Sequence, residues 1–141
     1  MKVFFDTSVL IAAFWLEHPG HKESLAVFSR SGPERAYCGL HTLGEFYSSI
    51  TALPIHNRFD PQTTLPLIME IRTRCTPVSL TEKEYVTTIE TAANNGFKSG
   101  MIYDALLLRC AEKSGAEVIY TWNLKHFRML APALADKIRT P

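Results

Sequence analysis

Asp6, Glu45, Asp104 and Asn123 are oxygen-bearing side chains that the chain sets near the ends of short apolar strands or at the start of a helix. Asp6 closes Val3-Phe4-Phe5, a β-branched and aromatic run that reads as a short buried strand. Glu45 closely follows the strand Ala36-Tyr37-Cys38-Gly39-Leu40, and Asn123 follows the strand Glu117-Val118-Ile119-Tyr120. Asp104 opens a helix inside the apolar run Ile102 to Leu108, just before that fourth strand. In a parallel sheet every strand-to-helix junction meets one edge, so three carboxylates and an amide can converge although far apart in the chain. Converging carboxylates repel unless a cation sits among them. Hard oxygen donors suit Mg²⁺ or Mn²⁺ rather than zinc, and such ions activate water and stabilise charge on a phosphodiester. The chemistry is that of a metal-dependent nuclease.

Each residue also has a local role open to it. Asp6 is a preferred N-cap residue, and Thr7 or Ser8 can cap the helix begun by Val9-Leu10-Ile11-Ala12-Ala13. Thr42-Leu43-Gly44-Glu45 fits a capping box with Thr42 as N-cap. Asn123 can close an Asx-turn. Asp104 is harder to place locally, because an unpaired charge among apolar side chains is costly and calls for a cation, a helix N-terminus or a metal.

The elements that must position these groups alternate strand and helix. A helix from Val9 to about Leu16 is broken by His18-Pro19-Gly20-His21, whose histidines read as surface loop residues rather than metal ligands. A second helix, from about His21 to Ser31, is closed by Gly32-Pro33. Phe46, Ile50 and Leu53 continue a third helix until Pro54, and Asp60-Pro61 opens a fourth that runs to about Arg74. Pro77-Val78-Ser79-Leu80 is the third strand. Thr81-Glu82-Lys83-Glu84 is a capping box for a helix through about Asn94, which leaves Glu82 and Glu84 as helix-start acids. The Asp104 helix ends at Ser114-Gly115, and Lys137-Ile138-Arg139-Thr140 is either a tail or an edge strand. The pattern predicts one domain over residues 1–141, a three-layer α/β/α fold with a short, mostly parallel central sheet.

Composition is that of an ordinary globular protein, with 46% hydrophobic and 21% charged residues and a net charge of +1. Charge alone therefore announces neither a general nucleic-acid binder nor a membrane binder. Up to residue 70 seven acids face five Lys or Arg, whereas beyond it seven acids face ten, so any basic surface draws on the second half. Cys38, Cys75 and Cys110 lack zinc spacing and read as buried, reduced cysteines of a cytoplasmic protein. No signal peptide or membrane span is expected.

Four pieces in order carry a family resemblance: Phe5-Asp6-Thr7-Ser8-Val9-Leu10, Leu43-Gly44-Glu45-Phe46-Tyr47, Ile102-Tyr103-Asp104-Ala105-Leu106 and Thr121-Trp122-Asn123-Leu124-Lys125-His126-Phe127. Here the chain resembles the PIN-domain family, and more narrowly the VapC-type toxins of toxin–antitoxin pairs. The resemblance implies a Mg²⁺- or Mn²⁺-dependent endoribonuclease in which Asp6, Glu45 and Asp104 hold metal, with Thr7, Ser8 and Thr121 as polar supports. Asn123 fills the fourth acidic place of many relatives; its amide can ligate but adds no negative charge, which would weaken a second metal. A homodimer and a cognate antitoxin are implied too. Lys98, Lys125, His126, Arg128, Arg109 and Lys113 are candidates for the RNA backbone, with a solvated surface as their ordinary use. Tyr103 and Trp122 are expected in the core, with base stacking as the other use.

The rival class is a catalytically silent PIN-like module that binds RNA or protein. The retained acids argue against it without demonstrating turnover. An aspartyl-phosphate phosphatase would carry a second Asp where this chain has Ser8, and a receiver-like domain leaves the acid after Leu40 unexplained.

Overall fold

The opening triplet forms β1 (Val3–Phe5), and side-chain alternation sends its two phenyl rings to opposite faces. Phe4 joins Ile119, Phe127 and Ile138 in one core, while Phe5 joins Val9, Leu10, Phe28, Phe46 and Ile71 in another. A strand apolar on both faces belongs in the middle of a covered sheet. The computed structural model, which describes residues 1–55 and 58–141, has it there. β2 (Ala36–Gly39), β3 (Thr76–Val78), β4 (Val118–Tyr120) and β5 (Ile138–Arg139) complete a sheet of order β3-β2-β1-β4-β5. Every neighbouring pair is parallel. The expected mostly parallel sheet is thus wholly parallel, and the Lys137–Thr140 segment supplies its last edge strand.

Helices cover both faces. α1 (Thr7–Phe14), α2 (His21–Ser29), α3 (Leu40–Thr51) and α4 (Pro61–Arg74) pack on the Phe5 side. α6 (Met101–Ser114) and α7 (Leu124–Leu130) pack on the Phe4 side, with α5 (Glu82–Asn94) against α6. Phe5 stacks on Tyr120 at 5.9 Å and meets the edge of Phe28 at 6.2 Å. Each such buried ring contributes roughly 1.5–3 kcal/mol through removal of apolar area from water. Cys38, Cys75 and Cys110 are free and buried, as expected. Among the described residues no helix is long and apolar enough to cross a membrane.

Several helix ends follow from their residues. Asp60 accepts the Thr63 N–H at 2.8 Å ahead of Pro61. Thr81 and Glu84 complete their reciprocal capping box. Gly115 ends α6 at φ 73°, a left-handed conformation that glycine adopts without steric cost.

Two expectations fail at helix starts. α1 begins at Thr7 with Asp6 in the N-cap position, so neither Thr7 nor Ser8 caps it, and Asp6 makes no side-chain cap bond either. α3 begins at Leu40 behind Gly39, so Thr42 lies inside the first turn and the Thr42–Glu45 capping box does not exist. The chain turns directly from β2 into α3, which leaves both side chains available elsewhere.

The strand order has a consequence for ligands. From β1 the chain steps to β2 and then β3 on one side, and α5 and α6 carry it across to β4 on the other. Between the carboxyl ends of β1 and β4 the connections diverge, and open α/β sheets form their binding clefts at such a switch point.

Candidate active site

Asp6 stands at that switch point and is buried, with 3% of its surface exposed. Its N–H donates to Tyr120 O at 3.0 Å, which ties the ends of β1 and β4 together. Oδ2 accepts from Ser8 Oγ at 2.7 Å and from Thr121 Oγ1 at 2.9 Å. No side-chain donor among the described residues bonds Oδ1. Burial raises the Asp6 pKa above the ordinary carboxylate value, and the Ser8 and Thr121 hydroxyls pull it back. The two hydroxyls are themselves fixed, because Ser8 Oγ accepts the Trp122 N–H and Thr121 Oγ1 accepts the Asn123 N–H.

Glu45 is half-buried, one turn into α3. Thr7 Oγ1 lies 3.2 Å from Glu45 Oε1 and 3.2 Å from the buried Thr42 Oγ1. A hydroxyl carries one proton, so both contacts are satisfied when Thr7 donates to the carboxylate and accepts from Thr42. Burial raises the Glu45 pKa, the His41 charge one turn earlier opposes it, and the charge of Asp6 adds to the rise. Asp104, in the first turn of α6, is pushed up to about 6 by burial, then by the charges of Asp6 and Glu45, against the pull of His126. His126 Nε2 lies 3.1 Å from Asp104 Oδ2.

The charge of Asp6 thus bears on both Glu45 and Asp104, and that of Glu45 on Asp104, although 39 and 59 positions separate the three along the chain. Among the described residues no three His, Cys, Asp or Glu side chains already stand as a closed metal-ligand set. The donor chemistry nevertheless fits a hard divalent cation: three carboxylates short of compensating positive charge, one with an oxygen free of side-chain donors. Asn123 is exposed at the N-cap of α7, and its side chain makes no hydrogen bond among the described residues.

The other expected residues divide. Arg109 and Lys113 bind Glu84 at 3.2 and 2.6 Å, and Arg128 donates to Ile138 O. These three are structural cations. Lys98 and Lys125 are exposed. Trp122 packs as expected, donating its indole N–H to Ser24 at 2.9 Å. Tyr103 does not: it is 49% exposed and stacked on His41. The Thr42 link, the His126–Asp104 pair and the effect of His41 on Glu45 escape a sequence reading. Only His41 has a local signal, four residues before Glu45 on one helix face.

A fold with βα junctions gathered around acids at a sheet switch point defines a class, and the comparisons agree. The PIN-domain family model matches residues 3–130, and the chain belongs to that family. It is similar to ribonuclease VapC40 of Mycobacterium tuberculosis, in strains CDC 1551/Oshkosh and ATCC 25618/H37Rv. Each is 29% identical over 114 residues, covering 81% of this chain and 81% of the relative. The fold also matches the crystal structure of Mycobacterium tuberculosis VapC20, described as a sarcin–ricin loop cleaving toxin. There the TM-score is 0.69 at 16% identity, over 86% of this chain and 90% of that one.

Proposed function

We propose that the chain is a Mg²⁺- or Mn²⁺-dependent endoribonuclease that serves as the toxin of a toxin–antitoxin pair. The observation that carries this is a buried, hydroxyl-held Asp6 at the switch point of a PIN fold, with Glu45 bonded to the adjoining Thr7 and the Asp104 pKa raised by burial and by the charges of both acids. The ribonuclease relatives support RNA as the substrate.

Asp6, Asp104 and Glu45 would hold the metal, with the Asn123 amide oxygen as a further neutral donor. The chemistry supplied by a bound ion is Lewis-acid activation of water and neutralisation of charge growing on the phosphodiester. The chain's own residues set the stage for it. Ser8 and Thr121 favour the ionised form of the buried Asp6 carboxylate and hold its Oδ2, and Thr7 bonds the Glu45 carboxylate. His126 bonds the Asp104 carboxylate and favours its ionised form. Lys98 and Lys125, both exposed, would meet phosphates of the strand. A cognate antitoxin and a homodimer belong to the same proposal, as does a cytoplasmic setting.

The test is cleavage of a mixed RNA pool by antitoxin-free protein with Mg²⁺, with Mn²⁺ and with chelator, beside Asp6→Ala and Asp104→Ala. Discrete metal-dependent fragments, absent from both variants, are expected. Folded wild-type protein that binds no metal and behaves as the variants do would hand the chain to the binding-module class.

A further inference from the structure

Beside the carboxylates opens a cleft of about 450 Å³ walled by the start of α3, the β3–α5 turn, α5 and α6. Leu40, Leu80, Tyr85, Tyr103 and Leu106 supply much of its lining, with Ser79 as a polar side chain on the wall. The cleft adjoins the acids along two helices, since Tyr103 precedes Asp104 and His41 stands one turn before Glu45. Its volume is that of a small-molecule pocket.

Two features say what enters it. Tyr103 and Tyr85 remain 49% and 44% exposed although both line an apolar wall. The Tyr103 ring lies nearly parallel to His41, with centroids 5.8 Å apart and planes 15° from one another. Next in the chain to Asp104, this is a preformed aromatic stack on the cleft wall. The second feature is Gly44, which lines the cleft from within α3, where glycine costs about 0.5–1 kcal/mol relative to alanine. A Cβ at Gly44 would meet nothing within 4 Å, so packing does not require glycine there. The cleft is thus open at this position, with room that a large side chain would fill.

We propose that this cleft is a subsite for one unstacked base of single-stranded RNA, which extends the Tyr103–His41 stack with its phosphodiester directed toward Glu45 and Asp104. The choice of ligand rests on the nuclease reading above. A base inside a duplex is already stacked and paired, so such a subsite selects loops and single strands. Aromatic stacking tolerates any base, and Ser79 is able to donate to or accept from a base edge.

The test uses single-stranded oligoribonucleotides that differ only in carrying an abasic nucleotide at one position at a time. Binding is read by fluorescence anisotropy in chelator, and cleavage is read with Mg²⁺ or Mn²⁺. One abasic position should weaken binding and lower kcat/KM roughly five- to 150-fold, the loss of one base–aromatic stack. Tyr103→Ala should cause the same loss on intact RNA and remove the abasic penalty. Gly44→Leu, which fills the cleft, should do likewise, while Gly44→Ala should not; melting by circular dichroism confirms that each variant folds. If the abasic penalty persists undiminished in Tyr103→Ala while cleavage continues, no base lies on Tyr103 and the subsite is wrong although the nuclease stands. Coupled binding effects with no cleavage in either metal would uphold the subsite and remove the nuclease reading. Loss of self-association in sedimentation, with RNA binding unchanged, would make the cleft a contact between copies and overturn the proposal.

Discussion

Glu84 and Asp104 are both carboxylates in the first turn of a helix, and α6 serves both of them in opposite ways. Glu84 accepts from Lys113 Nζ at 2.6 Å, from the Thr81 N–H at 2.8 Å and from Arg109 Nη2 at 3.2 Å. The Lys113 contact first, then the Thr81 amide, draws its pKa down to about 2. Asp104 begins the same α6 that carries those two cations, yet receives neither. Burial and the charges of Asp6 and Glu45 push its pKa up to about 6, against the pull of His126. Where a carboxylate holds helices together, the fold supplies cations. At the switch point it withholds them, and the unpaid charge is what a divalent ion would settle.

That difference should appear first in turnover. Asp6→Ala or Asp104→Ala should lower metal-dependent RNA cleavage on the order of a hundred- to a thousandfold, the loss expected when a ligand no longer helps offset transition-state charge. Glu84→Ala, two turns of α6 away from the acids, should leave the rate per folded molecule unchanged. Initial rates on one RNA with active-site titration compare the three. Equal losses in Glu84→Ala and Asp104→Ala would erase the distinction between the two regions.

Stability against pH should separate them with opposite signs. The folded pKa of Asp104 lies above its unfolded value of 3.8, so ionisation costs the native state. In metal-free protein that cost is full above about pH 6, fades as pH falls and vanishes below the unfolded value. Asp104→Asn should therefore be the more stable protein at neutral pH, by roughly 1–2 kcal/mol after allowance for the solvent-exposed part of the side chain. The folded pKa of Glu84 lies below its unfolded value of 4.5, so its contribution is present above that value and lost as pH falls through about 2. Glu84→Gln should melt lower than wild type at neutral pH, and the two should converge in acid. Thermal melts across pH in chelator check both curves. Added Mg²⁺ should raise the wild-type melting temperature and leave Asp104→Asn behind, because binding to the native state alone stabilises it.

What could be read in advance follows the range of the interaction. The strands, the helix starts at Asp60 and Thr81 and the end at Gly115 are written in adjacent residues, and they form as expected. The proposed convergence of Asp6, Glu45 and Asp104 rests on a rule of the same kind, that a parallel sheet gathers its βα junctions at one edge whatever the sequence separation. The errors arose where a local motif had a distant competitor. Thr42 and Glu45 have capping-box spacing, but the chain enters α3 three residues earlier, and Thr7 from α1 claims both side chains. Arg109 and Lys113 look like free cations until α5 brings Glu84 against them. The His126–Asp104 pair spans α7 and α6, and no spacing in the chain announces it.

Two glycines sharpen the contrast between packing and site at the smallest scale. Gly20 lies against Trp122, the ring that Ser24 holds through its indole N–H, and a Cβ there would overlap that ring. Gly20→Ala should therefore cost about 1–3 kcal/mol by overpacking, read as a lower melting temperature. Gly44 faces open cleft, so Gly44→Ala meets no clash and gains helix propensity, an expected increase of about 0.5–1 kcal/mol. The sign at Gly44 is the decisive quantity. A rise in melting temperature means that α3 forgoes stability at a position where its own packing would accept a methyl group, so the cleft tolerates a small side chain there but not a large one. A fall means that the backbone or an unseen neighbour requires glycine, and the open cleft is then a by-product of packing.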